Sequence, residues 1–224
     1  MDLLKPWSSA QPGGAGRPFV TYYDVSSGER TELSGTTTGN WVAKVANLLI
    51  DECDAEPGVR VNVALPTHWL RPVWLLATWA VGGTVISAGG DIVICGPDGM
   101  ESAPAVRHRF ASALLPFGAP FPNPPAGFLD LGVVLPGQPD AYFATEDAQP
   151  DDPAVDLPDQ QLTYADLEKA GGSGERLLYP ATTLANDITS TVAAARGGGS
   201  MVLVSHGSPA DTERIAQQEH VRYA

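Results

Sequence analysis

Between Glu29 and Ser87 the chain writes strand, helix, strand, helix, strand with few spare residues between them. That order constrains the fold more than any other feature. Val59, Val61, Val63 and Leu65 alternate with Arg60, Asn62 and Ala64, which is the period of a strand. Pro66 ends that strand, and Thr67 is expected to cap the helix that follows. The spacing predicts this helix over Leu70–Val81, with Pro72 tolerated in its first turn and Gly82-Gly83 as its stop. Thr84–Ser87 and Asp91–Cys95 read as the next strands. Upstream, Trp41, Val42, Val45, Leu48 and Leu49 form one apolar stripe of a helix over Thr38–Cys53, entered through Ser34. Strands joined through a helix by such short loops lie parallel, with a right-handed crossover. The expected fold is therefore α/β: one three-layer domain over residues 18–224, with a largely parallel sheet and helices on both faces.

The flanks add weaker expectations. Residues 1–17, rich in Gly, Pro and Ser, read as a flexible N-terminal arm. Pro18–Val25, the turn Ser26-Ser27-Gly28 and Arg30–Leu33 form a hairpin. Ala105–Leu115 fits a strand or a helix. Pro116–Pro125 holds five prolines and must be loop, because each removes an N–H donor. Phe128–Leu135 reads as a short helix, and residues 148–160 as an acidic, proline-rich surface loop. Thr163 starts a helix that Gly171-Gly172 ends. Arg176–Tyr179 is a strand, Ala185–Ala195 a helix and Met201–Ser205 a strand. Ser208 with Asp211 marks a capping box for a last helix running to Glu219.

Charge excludes some functions. The 13 basic residues face 26 acidic ones, a net charge of -13. Nucleic acids and anionic membranes recruit Lys and Arg, so neither is an expected partner. Cys53 and Cys95 lie in apolar stretches and make no disulfide framework. No apolar run is long enough to cross a bilayer and no secretion signal opens the chain, so a cytoplasmic protein is expected. Ten arginines against three lysines, with much Ala, Gly and Pro, suggest a GC-rich bacterial genome. His68, His108, His206 and His220 are scattered without metal-ligand spacing, so no metal is expected. Ser205-His206-Gly207 follows a strand, where a nucleophile could be shown. The first Gly of a Gly-x-Ser-x-Gly elbow is missing, and adjacent Ser and His seldom pair. A strand-end turn is the first reading, and a hydrolase using Ser205 the alternative. Trp69, Trp74 and Trp79 read as core or interface.

Several segments resemble one family. Val45-Ala46-Asn47-Leu48-Leu49 matches its "ANxLA" helix. Pro57-Gly58-Val59-Arg60-Val61-Asn62-Val63-Ala64-Leu65-Pro66 matches "PGDRVAVLLP". Trp74–Ser87 matches "ALLALWKAGAVVVPL", and Gly198-Gly199-Ser200-Met201-Val202-Leu203 matches "GATVVL". Together they resemble the first half of the N-terminal domain of adenylate-forming enzymes, the AMP-binding group that includes acyl-CoA synthetases. The resemblance implies a Ser/Thr/Gly-rich loop for ATP phosphates and a catalytic lysine. Ser34-Gly35-Thr36-Thr37-Thr38-Gly39 has the composition of such a loop. It stands before the first helix, however, and lacks the Pro-Lys-Gly tail, so it reads as a helix cap. Gly171-Gly172-Ser173-Gly174 precedes Glu175, whose charge opposes a triphosphate, so it reads as a helix–strand connection. The family's later motifs are not found. The expectation is a degenerate, non-catalytic relative with no catalytic residues, acting as a binding or interaction protein and forming a homodimer. The alternative is a nucleotide, acyl or CoA-type binder, with ATP, AMP or CoA in a residual pocket.

Overall fold

The computed structural model describes residues 16–144 and 146–224. Most of the expected N-terminal arm over 1–17 lies outside the described residues. The opening hairpin is β1 (Pro18–Asp24) and β2 (Glu29–Ser34), antiparallel. Ser34 caps α1 (Gly35–Cys53) by accepting the Thr37 N–H at 3.1 Å. Asp54 closes that helix in the left-handed conformation. Then come β3 (Arg60–Ala64), α2 (Leu70–Ala80), β4 (Thr84–Ile86), β5 (Ile92–Cys95) and β6 (His108–Ala111). The remaining elements are β7 (Leu129–Asp130), the one-turn α3 (Leu131–Val134), β8 (Pro153–Leu157), β9 (Gln160–Thr163), α4 (Tyr164–Lys169), β10 (Arg176–Pro180), α5 (Leu184–Gly197), β11 (Ser200–Ser205), α6 (Pro209–Glu219) and β12 (Arg222–Tyr223). The expected acidic cap at Ser208 is formed, and a second stands at Thr163. Thr163 with Asp166, and Ser208 with Asp211, make reciprocal capping boxes.

The class and the parallel pairing are as expected, but the strands divide into two sheets. The first has the order β12-β10-β11-β1-β2 and is parallel except for the β1–β2 hairpin. The second has the order β7-β6-β5-β3-β4-β8-β9 and is parallel except for β8–β9. Helices α1, α2 and α5 lie between them. α1 packs on β1 and α5 on β11, while α2 packs on β3, β4 and both neighbouring helices. The cause is legible in α2. Every residue from Leu70 to Trp79 is buried. A helix apolar on all sides has no solvent face and needs cover all round, which an outer layer of a three-layer sandwich does not supply.

The outer faces differ. On the first sheet, α6 seats Ile215 and Ala216 on Tyr23, Leu178, Val202 and Val204. On the second sheet loops take this place, so helices cover only its inner face. Gly90, at φ +98°, lets the 87–91 loop lie on the sheet; a Cβ there would sit 2.6 Å from Ile86 Cδ1.

Three local expectations are corrected and one open choice is resolved. Thr67 does not cap α2. That helix starts from Trp69 without a side-chain cap, and His68 Nδ1 accepts the Leu70 N–H at 3.2 Å instead. The ambiguous 105–115 stretch yields strand β6. Residues 128–135 form a two-residue strand and one helical turn. Residues 148–160 are not all surface loop. They contain β8, which pairs with β4 and buries Ala154, Val155 and Leu157. Acidic residues and prolines hide the Val155–Leu157 alternation, and Asp156 faces Arg60 at 2.9 Å.

Candidate functional site

In open α/β folds ligands meet the carboxyl ends of the strands. Here β1 and β11 end side by side, with Asp24 opposite Ser205. The loops that leave β3 and β10 also meet, Thr67 with Thr182. Asp24, Ser205 and His206 stand at the first place, and Thr67 and Thr182 at the second.

Ser205 is buried. Its Oγ lies 2.8 Å from the Tyr22 hydroxyl and donates to the Tyr23 carbonyl at 3.5 Å. Burial pushes the Tyr22 phenol up to about 12, against a lowering contribution from Ser205, so it keeps its proton at neutral pH. A protonated phenol gives a serine no base. His206 adjoins Ser205 in sequence but turns away, its backbone left-handed at φ +55°. Its Nδ1 meets Asp24 Oδ1 at 2.9 Å, and its ring is mostly exposed. Burial would raise the Asp24 carboxyl. Hydrogen bonds from Ser26, His206 and Ser27 outweigh burial and hold it at about 2. The structure therefore joins Asp24 with His206 and Ser205 with Tyr22; the three residues of a triad are not brought into line.

His68 packs edge-on to the Tyr22 ring, with centroids 4.6 Å apart. Burial drives its pKa down to about 3, so it is neutral at physiological pH. Because Nδ1 accepts the Leu70 N–H, the ring proton sits on Nε2, which has no partner among the described residues.

A knot of hydrogen bonds ties the loop after β3 to the loop after β10. Arg71 Nε and Nη2 donate to the Leu65 carbonyl at 2.8 and 2.6 Å, and Nη1 donates to the Thr182 carbonyl at 3.2 Å. Nη1 also meets Asp187 Oδ2 at 2.5 Å, while the Thr182 hydroxyl donates to Asp187 Oδ1. The Thr182 N–H donates to Thr67 Oγ1 at 2.9 Å. Every strong donor of Arg71 named here thus ends on protein. Sequence reading missed this pair. Its signal was Arg71 itself, the single charge in an otherwise apolar helix, which burial obliges to find a counter-charge.

The two glycine-rich candidates are also committed. Gly35-Thr36-Thr37-Thr38-Gly39 are the first turns of α1, as the cap reading expected. Gly171-Gly172-Ser173-Gly174 joins α4 to β10 and is pressed against the end of α5. A Cβ at Gly172 would lie 2.7 Å from the Gly197 backbone, and the Ser173 N–H donates to the Ala193 carbonyl at 2.8 Å. Backbone packed this closely leaves no concavity for a phosphate. Among the described residues, no three His, Cys, Asp or Glu side chains are grouped to hold a metal ion. Both cysteines are free and buried. No described helix is long and apolar enough to cross a membrane.

One open cleft, of about 250 Å³, runs beside the start of α1 between Thr36, Asn40, Val42, Ala43, Asp140 and Tyr142. Its far wall is a strap fastened to α1. Lys44 Nζ binds the Gln138 carbonyl at 2.5 Å and Asp140 at 2.7 Å; Asn47 Nδ2 binds the Pro139 and Ala141 carbonyls, each at 3.0 Å.

Comparison with known proteins agrees with this architecture. No family model matches the chain. A Mycobacterium tuberculosis protein described as a TIGR03089 family protein is 38% identical over 142 residues, covering 59% of this chain and 57% of the relative. The acyl-CoA synthetase of Brucella canis superposes with a TM-score of 0.80 at 12% identity, over 99% of this chain and 46% of its own. The N-terminal domain of FACL13 from Mycobacterium tuberculosis superposes with a TM-score of 0.75 at 13% identity, over 98% of this chain and 60% of that one. The chain therefore spans less than two thirds of the length of each of these proteins. Its fold is that of the N-terminal domain of acyl-CoA synthetases.

Proposed function

We propose that this chain is a non-catalytic binding or interaction domain, built on the acyl-CoA synthetase fold and working in the cytoplasm as a homodimer. One observation carries the reading. The groups that could do chemistry are used up in holding the fold together: Ser205 on Tyr22, Arg71 on Asp187, and both glycine-rich runs in helix starts and close packing. Adenylation needs donors aimed at developing phosphate charge, and donors already bonded to protein cannot supply them. The test is ATP–pyrophosphate exchange with a panel of short and long carboxylic acids. Exchange at the level of a heat-denatured control is expected; acid-dependent exchange above it refutes the reading.

The cleft beside α1 favours a second reading, as a small-molecule binder. At about 250 Å³ it falls below the roughly 300–1,000 Å³ of sites for drug-sized ligands. That size suits a short acyl or carboxylate group better than a whole nucleotide. A thermal-shift series with ATP, AMP, CoA and short carboxylic acids tests it, and a flat response throughout removes it.

A further inference from the structure

The stretch from Phe110 to Pro139 contains one ionisable side chain, Asp130, against 17% charged residues in the whole chain. That one is buried, and its carboxylate accepts the Phe121 N–H at 2.8 Å and the Gly132 N–H at 2.9 Å. The same stretch supplies four of the six exposed large apolar side chains among the described residues: Leu115, Phe117, Leu129 and Val133. Phe117 is 88% exposed and Val133 66%. They share one region. Gly132 lies directly on Ala119–Pro120, the Phe121 N–H reaches back to Asp130, and Gly118 rests on Trp41. The backbone here is also strained. Leu114 and Phe117, both bulky, sit at φ +53° and +57°. A left-handed conformation costs a side chain of this kind free energy, and the described residues leave Phe117 exposed.

From this neutral, apolar face we infer the surface on which two copies of the chain meet. The partner follows from charge. Each copy carries -13, so two copies approaching by most of their surface repel each other. A face whose own stretch carries one charge, which is buried, and whose charged neighbour Arg109 lies flat on the Phe128 ring, lets them touch at a smaller cost. A basic partner would instead seek the acidic surface and gain nothing from a neutral one. Depletion of charge with exposed aromatic side chains is the composition of an interface core. A two-fold contact places the same patch on both sides, Phe117 of one copy against the Leu129–Val133 side of the other. The inference rests on the interaction reading above, and it is read by mass rather than by reaction product, so each can fail without the other.

The test is sedimentation equilibrium with light scattering on the whole chain. A dimer is expected, and it should tighten as salt rises from about 0.01 to 1 M, over which the screening length falls from roughly 30 to 3 Å. Phe117→Asp and Val133→Asp should give monomers with unchanged circular dichroism. Phe117→Gly should give a monomer that melts no lower than the parent, because it removes the anchor and the backbone strain together. Tyr223→Asp, on β12 at the edge of the other sheet, should stay dimeric. A monomeric parent chain at all salts, a dimer that salt weakens, or a dimer untouched by Phe117→Asp would each overturn the inference.

Discussion

Removing one half of the Arg71–Asp187 pair should be among the most damaging single changes in this protein. Their side chains are 7% and 2% exposed, and the pair joins the first turn of α2 to the first turn of α5. Asp187→Ala strands a buried guanidinium that keeps only carbonyl partners, and it leaves the Thr182 hydroxyl only a 3.5 Å contact to Thr67 Oγ1. Breaking a buried ion pair from one side costs about 3–5 kcal/mol. Arg71→Met leaves the carboxylate buried with Thr182 alone and belongs in the same range. The double variant Arg71→Met/Asp187→Leu removes both charges and replaces them with apolar volume, so it should recover most of the loss. Urea unfolding, extrapolated linearly to water, gives the three differences and the coupling between them. Single variants losing less than about 1 kcal/mol would refute the claim that the pair is desolvated and intact. A double variant as unstable as the sum of the singles would refute the claim that the cost lies in the stranded charge.

Three further outcomes are expected. Burial would raise the Glu219 carboxyl, but hydrogen bonds from Tyr23, Arg176 and Arg30 hold it at about 2. Its stabilisation is therefore complete above the ordinary glutamate range near pH 4.3 and is lost as pH falls through about 2. In melting curves across that window, Glu219→Gln should flatten the acid slope and cost about 2 kcal/mol at neutral pH. His68 stays neutral to about pH 3 when folded but charges near pH 6.5 when unfolded, so stability on its account is full above pH 6.5 and declines toward pH 3. His68→Leu should shift acid unfolding to lower pH, and an unmoved midpoint counts against the burial. Ser205→Ala should cost about 1 kcal/mol through the orphaned Tyr22 hydroxyl and leave any ester turnover unchanged; a fall in turnover would restore Ser205 as a nucleophile.

Local order was well written in the sequence. The alternation around Val61 and Val63, the stripe on α1 and the acid caps at Thr163 and Ser208 depend on residues a few positions apart, so each could be read directly. So could Ser34 as the start of a helix rather than a phosphate loop. The resemblance to adenylate-forming enzymes rested on the same local segments, and their order pointed to the right fold. The candidate site was much less legible. Ser205 was visible, but its bond to Tyr22 joins residues 183 positions apart, and the Arg71–Asp187 pair spans 116. Strand β8 was masked because residues 148–160 look solvated by composition, while their pairing with β4 is decided 70 residues away. The division into two sheets belongs to the same class. Local period says that a segment is a strand, but only burial against α2 on one side, or against α1 and α5 on the other, says which sheet it joins. What the sequence by itself determined was which elements form and where they start. Tertiary structure alone decided which polar groups remain free, because a donor is free or spent according to what folds against it.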